Sequence, residues 1–201
     1  MEAIDAILTR RSVREFSDKK IPRKILDKVL EAGIHAPSSK NSQPWYFVVD
    51  TTEKKNKIAD LIEARANEEF TAMDPRTGKP SNLSTAVASA RILREAPAVI
   101  LIFSTSPFTG GMKQVLDNPE MKYLLSFSSE VQSIAAAAQN MLLAAHSLGL
   151  GALWNCDIYY VAEEIKELYN KEHDFMLAIC LGYPKKKVDF QIKRHKKYEF
   201  V

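Results

Sequence analysis

The sequence lacks most of what a small chain uses in place of a core. It has only two cysteines in 201 residues, Cys156 and Cys180, with no CxxC and no Cys/His grouping. That excludes a disulfide scaffold and a clustered zinc module, and predicts two reduced, half-buried thiols in a cytoplasmic protein. No apolar run approaches the ~18 residues of a membrane span; the longest, around Pro97–Phe103, suits one buried strand. The opening MEAIDAILTRRS puts acids and arginines where a signal peptide needs a continuous apolar block, so secretion is not expected. P-loop, G-x-S-x-G and HExxH motifs are absent. Gly149 and Gly151 make G-x-G without a third glycine, which does not support a Rossmann dinucleotide site. The four histidines (His35, His146, His173 and His195) are scattered and read as surface or packing residues.

What is present is ordinary in amount and uneven in placement. Hydrophobic residues at 46% and charged residues at 26% match a soluble globular chain, and the length suits one domain over residues 1–201. Residues 185–201 carry seven Lys or Arg against two acids, a net +5, which leaves the rest of the chain at −2. Such a tail suits a solvated chain end, a single phosphate, nucleic acid or an anionic membrane surface. The acidic body and the lack of aromatic–Gly or zinc-finger patterns count against nucleic acid.

Periodicity predicts helices over residues 2–10 (Ile4, Ile7 and Leu8 on one face), from Pro22 to about His35, and over about 52–69. Further helices are predicted in a segment ending near Glu95, over Ser128–Leu148 and over 160–170. Strands are predicted at Trp45–Val49, within PAVILIF, at Ala152–Cys156 and at Phe175–Leu181. Arg11–Lys20, Pro37–Pro44, 71–84 and 107–119 read as turns or loops. Helices and single strands alternate irregularly, which predicts an α+β layered domain around one sheet. Within the Ser128–Leu148 helix the small residues Ala135 to Ala138 offer a close-packing face.

Two segments are denser in polar groups than packing requires. Arg10, Arg11, Ser12 and Arg14 place three guanidiniums and a hydroxyl within five residues, a set able to grip a phosphate bidentately. Pro37, Ser38, Ser39, Lys40, Asn41, Ser42, Gln43 and Pro44 form a proline-stiffened loop whose amides and hydroxyls suit the hydrogen-bonding edge of a heteroaromatic ring. With no protein nucleophile or base constellation in view, a bound cofactor is expected to carry any reaction.

Arg-Arg-Ser-Val-Arg-x-Phe followed about 25 residues later by Pro-Ser-Ser-x-Asn-x-Gln-Pro-Trp resembles the FMN-dependent nitroreductase family. Ala138–Ala145, the turn Leu148-Gly149-Leu150-Gly151, Leu181-Gly182-Tyr183-Pro184 and Arg194 fall in that family's order. The resemblance implies a nitroreductase-like α+β fold, with a mixed central β-sheet flanked by helices and a C-terminal extension reaching the partner subunit. It implies a homodimer with FMN at the subunit interface and NADH or NADPH as transient reductant. Nitroaromatic, quinone or related acceptors would be reduced by ping-pong hydride transfer through flavin N5, with no catalytic side chain.

By position, Arg10, Ser12 and Arg194 would hold the phosphate, Arg11 would line the same site, and Arg14 would reach the pyrimidine end. Pro37, Ser38, Ser39, Asn41 and Gln43 would lie along the ring and ribityl chain, with Lys40 on the substrate side. Trp154, Asn155 and Cys156 would cross the flavin face and offer a backbone N–H near N5. That last stretch departs from common members in having Cys156-Asp157. A specialised flavoenzyme of the same fold, a reductive dehalogenase or a flavin-fragmenting enzyme, is the nearest alternative.

Overall fold

A computed structural model describes residues 1–69, 84–105, 119–186, 188 and 197–200. Its elements in chain order are α1 (Ala3–Thr9), α2 (Arg23–Ile34), β1 (Trp45–Asp50), α3 (Lys54–Glu69), α4 (Ser84–Glu95), β2 (Ala98–Ser104), α5 (Pro119–Ser147), β3 (Gly151–Asn155), α6 (Ala162–Tyr169) and β4 (Asp174–Gly182). Short 3-10 turns occupy Ser39–Asn41 and Asp157–Val161. The expected loops at 71–84 and 107–119, Arg194, and most of the basic tail lie outside the described residues.

The four strands form one sheet in the order β1-β2-β4-β3, every neighbour antiparallel. The mixed sheet expected from the resemblance is narrower here: the one parallel pairing among the described residues is an isolated bridge between Ser12 and Ala152. Along β2, Val99, Leu101 and Phe103 join a core with α3, α4 and α6, whereas Ala98, Ile100 and Ile102 join another with α2 and α5. Two helical layers therefore cover both faces, which is why β2 reads as a continuous apolar run rather than an alternating one. A bulge shifts the β2–β4 register between Ile102 and Phe103, so that Phe103 pairs with Phe175. Their rings then meet edge to face with centroids 5.6 Å apart.

On the other face α2 and α5 approach closely because Gly33 has no side chain; a Cβ there would come within 2.7 Å of Met141. Asn140 Nδ2 donates to Ala32 O at 3.1 Å beside that contact. The helix predicted from Ser128 begins nine residues earlier. Pro119 opens it, and Leu124 and Phe127, each seven residues before Val131 and Ile134, carry the same apolar spacing on as exposed residues, with Leu125 exposed beside them. The apolar face of α1 exists as expected, but Ile4, Ile7 and Leu8 are all more than half exposed.

Residues 11–20 are not the predicted turn. Val13 N donates to Ala152 O (3.0 Å), Ser17 N to Tyr183 O (2.9 Å) and Lys185 N to Glu15 O (3.0 Å), so this segment runs extended beside the sheet. Among the described residues no helix is long and apolar enough to cross a membrane.

The expected pair of half-buried thiols is also corrected. Cys156 is exposed, whereas Cys180 points from β4 into the core and is fully buried. Burial pushes the Cys180 thiol up to about 12. A thiol-specific chromogenic reagent at pH 8 should therefore titrate one thiol per native chain and two after denaturation. Two prompt thiols in the native protein would contradict this placement.

Gly151 sets how close the 10–14 segment lies to β3, since a Cβ there would sit 2.7 Å from Val13 Cβ. Gly151→Ala forces either Val13 or the strand to shift, an overpacking cost of roughly 1–3 kcal/mol. Urea unfolding should show that loss with an unchanged m-value.

Candidate functional site

The arginine-rich segment is placed by the end of α1 and the edge of β3. Arg10 N makes the last helical bond, to Ala6 O, and Arg10 then turns to φ −55, ψ 135. From there the chain is extended and its side chains alternate. Val13 is buried on Gly151, while Ser12 is half-buried and Arg14 exposed. Arg10 and Arg11 are half-buried. Arg11 Nη1 donates to Leu8 O and Arg10 O, both at 2.9 Å, and so covers carbonyls that the end of α1 leaves unpaired. Arg11 thus has a structural task that the sequence did not disclose. Next to it lies His146, at the last turn of α5. Burial and the charges of Arg10 and Arg11 hold its imidazole below the ordinary value.

The proline-stiffened loop is held at its base and strained at its tip. Gln43 N donates to Ser38 Oγ at 3.0 Å, and Gln43 Nε2 to Asn41 Oδ1 at 3.1 Å. Ser39 N donates at 3.3 Å to Ser133 Oγ on α5, whose own proton goes to Ser129 O. Three residues without glycine's freedom have positive φ: Lys40 at 52°, Asn41 at 55° and Gln43 at 45°. Each left-handed residue costs about 1–3 kcal/mol, and such strain collects where a backbone is shaped for a ligand. Pro37, Lys40, Asn41 and Gln43 are exposed, and Ser38 and Ser39 half-buried.

At the exit of β3, successive side chains go to opposite faces. Trp154 is half-buried on the α5 side, and its Nε1 donates to Cys156 Sγ at 2.8 Å. Asn155 turns the other way and is buried; its Nδ2 donates to Ser89 O on α4 at 3.5 Å. Only the backbone of Asn155 remains for a ligand. Ser89 Oγ donates in turn to Asp157 Oδ2 at 2.9 Å. Ser89, Ser133 and His146 support the site residues and were missed, because nothing in their spacing links them to segments so distant in sequence.

The structure brings Arg10–Arg14 and Trp154–Cys156 together around β3, through the Ser12–Ala152 bridge. It does not bring the 37–43 loop to them on the same chain. That loop leads into β1, at the opposite edge of the sheet, about 14 Å away across three strand spacings. The long helix measures the same gap: the loop rests on Ser133, and α1 on His146, some 3.6 turns or roughly 20 Å further along α5. A cavity of about 730 Å³ opens elsewhere, lined by Ile21, Leu26, Leu30, Phe47 and Val49 together with charged residues, and none of the predicted site residues lines it.

The chain is similar in sequence and in fold to known proteins. The profile of the nitroreductase family matches residues 7–183. A protein of Methanothermobacter thermautotrophicus named "Putative NADH dehydrogenase/NAD(P)H nitroreductase" is 30% identical over 190 residues, covering 92% of this chain and 78% of its own length. A BluB-like flavoprotein from Clostridium difficile 630 has a TM-score of 0.79 at 27% identity over 97% of this chain and 95% of that one. A Desulfovibrio desulfuricans structure, "putative nitroreductase in complex with fmn", has a TM-score of 0.67 at 27% identity over 96% and 92%. With the ordered motifs, the layered antiparallel sheet and a profile match over most of its length, this chain belongs to the nitroreductase family.

Proposed function

We propose that the chain is an FMN-dependent NAD(P)H oxidoreductase, a single flavin-binding domain over residues 1–201 that works in the cytoplasm as a homodimer. It would reduce nitroaromatic, quinone or related acceptors by a ping-pong route. The observation that carries the reading is the Ser12–Ala152 bridge, which sets a phosphate-gripping segment against the strand exit at Trp154–Cys156. The donor set fits FMN: guanidiniums and a hydroxyl for the phosphate, and a strained loop rich in amides and hydroxyls for the ring edge and ribityl chain. When bound, the flavin supplies hydride acceptance and donation at N5, with NADH or NADPH as the transient reductant.

The roles proposed are those that the family resemblance implies. Arg10, Ser12 and Arg194 would hold the phosphate, Arg11 would line the same site, and Arg14 would present its cation to the pyrimidine end. Pro37, Ser38, Ser39, Asn41 and Gln43 line the ring and ribityl side, with Lys40 towards the substrate. Trp154, Asn155 and Cys156 contribute through their backbone. The roughly 20 Å between the two halves along α5 favours a site completed by a second copy, whose 37–43 loop meets this chain's Arg10–Arg14. The outward apolar residues Ile4, Ile7 and Leu8 of α1 and Leu124, Phe127 and Val131 of α5 supply a surface for that copy. A specialised flavoenzyme of the same fold is the second reading, favoured by the TM-score of 0.79 to a BluB-like flavoprotein. Steady-state turnover with a nitroaromatic separates the two.

Purified protein should be yellow, with about one non-covalent FMN per chain, and should sediment as twice 22.7 kDa. Its interface should exceed ~2,000 Å², as obligate pairs do. Colourless protein that takes up no added FMN, or a concentration-independent monomer with FMN bound, would refute the respective half of this expectation.

Arg14→Ala should leave the phosphate anchors intact and remove a cation from the pyrimidine end. A charge-assisted contact is worth roughly 1.5–3 kcal/mol, and here its loss falls mainly on the reduced cofactor. The two-electron midpoint potential should drop by ~30 mV for each 1.4 kcal/mol lost. Arg10→Ala should weaken FMN binding more and move the potential less. Spectroelectrochemistry giving equal potentials and equal FMN loss in both variants would place Arg14 on the phosphate instead.

A further inference from the structure

The clue is a hydrogen-bond relay at the end of α1. The Thr9 hydroxyl has one proton, and it donates to Asp5 O one turn back. Thr9 Oγ1 lies 2.9 Å from His146 Nε2. With its proton already committed, Thr9 accepts there, so His146 is the Nε2–H tautomer. Burial and the neighbouring guanidiniums keep the ring neutral, which makes it a donor without adding a further cation.

The position of this relay matters more than its strength. α5 ends at Ser147, Gly149 turns the chain at φ 78°, and β3 begins at Gly151. Leu150 N donates to Ala145 O at 2.9 Å and closes that corner. Thr9 grips the corner at His146, before the turn. Val13 grips it at Ala152, after the turn, through a 3.0 Å backbone bond. Arg10, Arg11 and Ser12 are the residues suspended between the two grips. Because Arg10 N stays bonded to Ala6 O and Arg11 ties Leu8 O to Arg10 O, release of the Thr9 grip would let the end of α1 shift together with Arg10 relative to Ser12, which its bridge to Ala152 keeps in place.

We infer that His146 is a positioning residue: its Nε2–H bond to Thr9 latches α1 to the last turn of α5 and so fixes Arg10 relative to Ser12 for a phosphate ester. This rests on the reading of Arg10 and Ser12 as phosphate anchors under the proposed function. The latch acts on the phosphate end alone, because the 37–43 loop is anchored elsewhere, on Ser133.

The test compares dissociation constants for FMN and for riboflavin, which lacks the phosphate, by flavin fluorescence quenching. His146→Leu and Thr9→Val should each weaken FMN about tenfold, near the upper range for one hydrogen bond, and leave riboflavin within about twofold. The double variant should be no weaker than either single one, since both remove the same bond. His146→Gln keeps an N–H donor and should restore FMN binding to within about threefold of wild type. If His146→Leu does not fold, the exposed Thr9→Val carries the comparison. Unchanged FMN affinity in the folded variants, or equal weakening of FMN and riboflavin, overturns the latch while leaving the flavoprotein reading intact. Wild-type protein that binds FMN no more tightly than riboflavin overturns the phosphate anchor itself, and that outcome appears before any variant is compared.

Discussion

The constraint on which the rest depends is the double burial of β2 and β4. Every side chain from Ala98 to Phe103 is buried, and β4 is nearly as enclosed. A strand with no water on either face must satisfy its backbone groups laterally, so β2 lies between β1 and β4, and β4 between β2 and β3. Helical layers then have to cover both faces. What this leaves for function are the two sheet edges and the corners leading into them. Both candidate binding segments lie there: residues 10–14 along β3, and the 37–43 loop at the entrance to β1. The core does no chemistry, but it confines any backbone able to meet a ligand to these two places.

The helix α5 relates the two edges. Its Ser133 receives the 37–43 loop, and its His146 receives the end of α1. A rigid rod of almost four turns keeps these sites apart on one chain, so no modest loop movement would merge them. In the proposed homodimer the same separation becomes useful. A second copy can present its loop to the first copy's arginines, and the rod then sets the spacing of two equivalent cofactor sites. The outward apolar residues at the start of α5 and along α1 suit this arrangement, since a water-facing helix has no reason to line up Ile4, Ile7 and Leu8.

Much of the architecture was legible in the sequence because it follows from local periodicity. PAVILIF, the alanine-rich stripe and the Gly/Pro punctuation placed the four described strands and most of the described helices within a few residues, the start of α5 being nine residues off. The errors share a cause, which is that long-range contact decides them. Cys180 and Cys156 look alike in sequence, yet one sits beneath a helical layer and the other at a strand exit. Residues 11–20 have the composition of a turn and are straightened by pairing with Ala152 and Tyr183. The predicted helix starts at Ser128, although Leu124 and Phe127 extend its apolar spacing by one heptad towards Pro119. In the candidate site, the polar segments were legible as chemistry that packing did not require. Their supports were not, since Ser89, Ser133 and His146 become neighbours of the site only once the layers have assembled.

The strand exit shows how a site of this kind can tolerate an unusual residue. Cys156-Asp157 departs from the common pattern at a stretch proposed to meet the flavin by its backbone. Two side chains flanking Cys156 are tied to one residue of α4: Asn155 Nδ2 to Ser89 O, and Asp157 Oδ2 to the Ser89 hydroxyl. Asn155 is buried, so its amide has no water to exchange for that bond, and releasing it would leave an unsatisfied polar group. The path of the backbone through residue 156 is thereby held from both sides, in addition to the bond that Cys156 Sγ accepts from Trp154 Nε1. Strand alternation has a second consequence: Trp154 and Asn155 cannot both face the same ligand, and Asn155 is committed to the core. In the proposed site, an N–H presented from such a braced segment would keep its direction because the flanking residues 155 and 157, rather than position 156, are tied to α4.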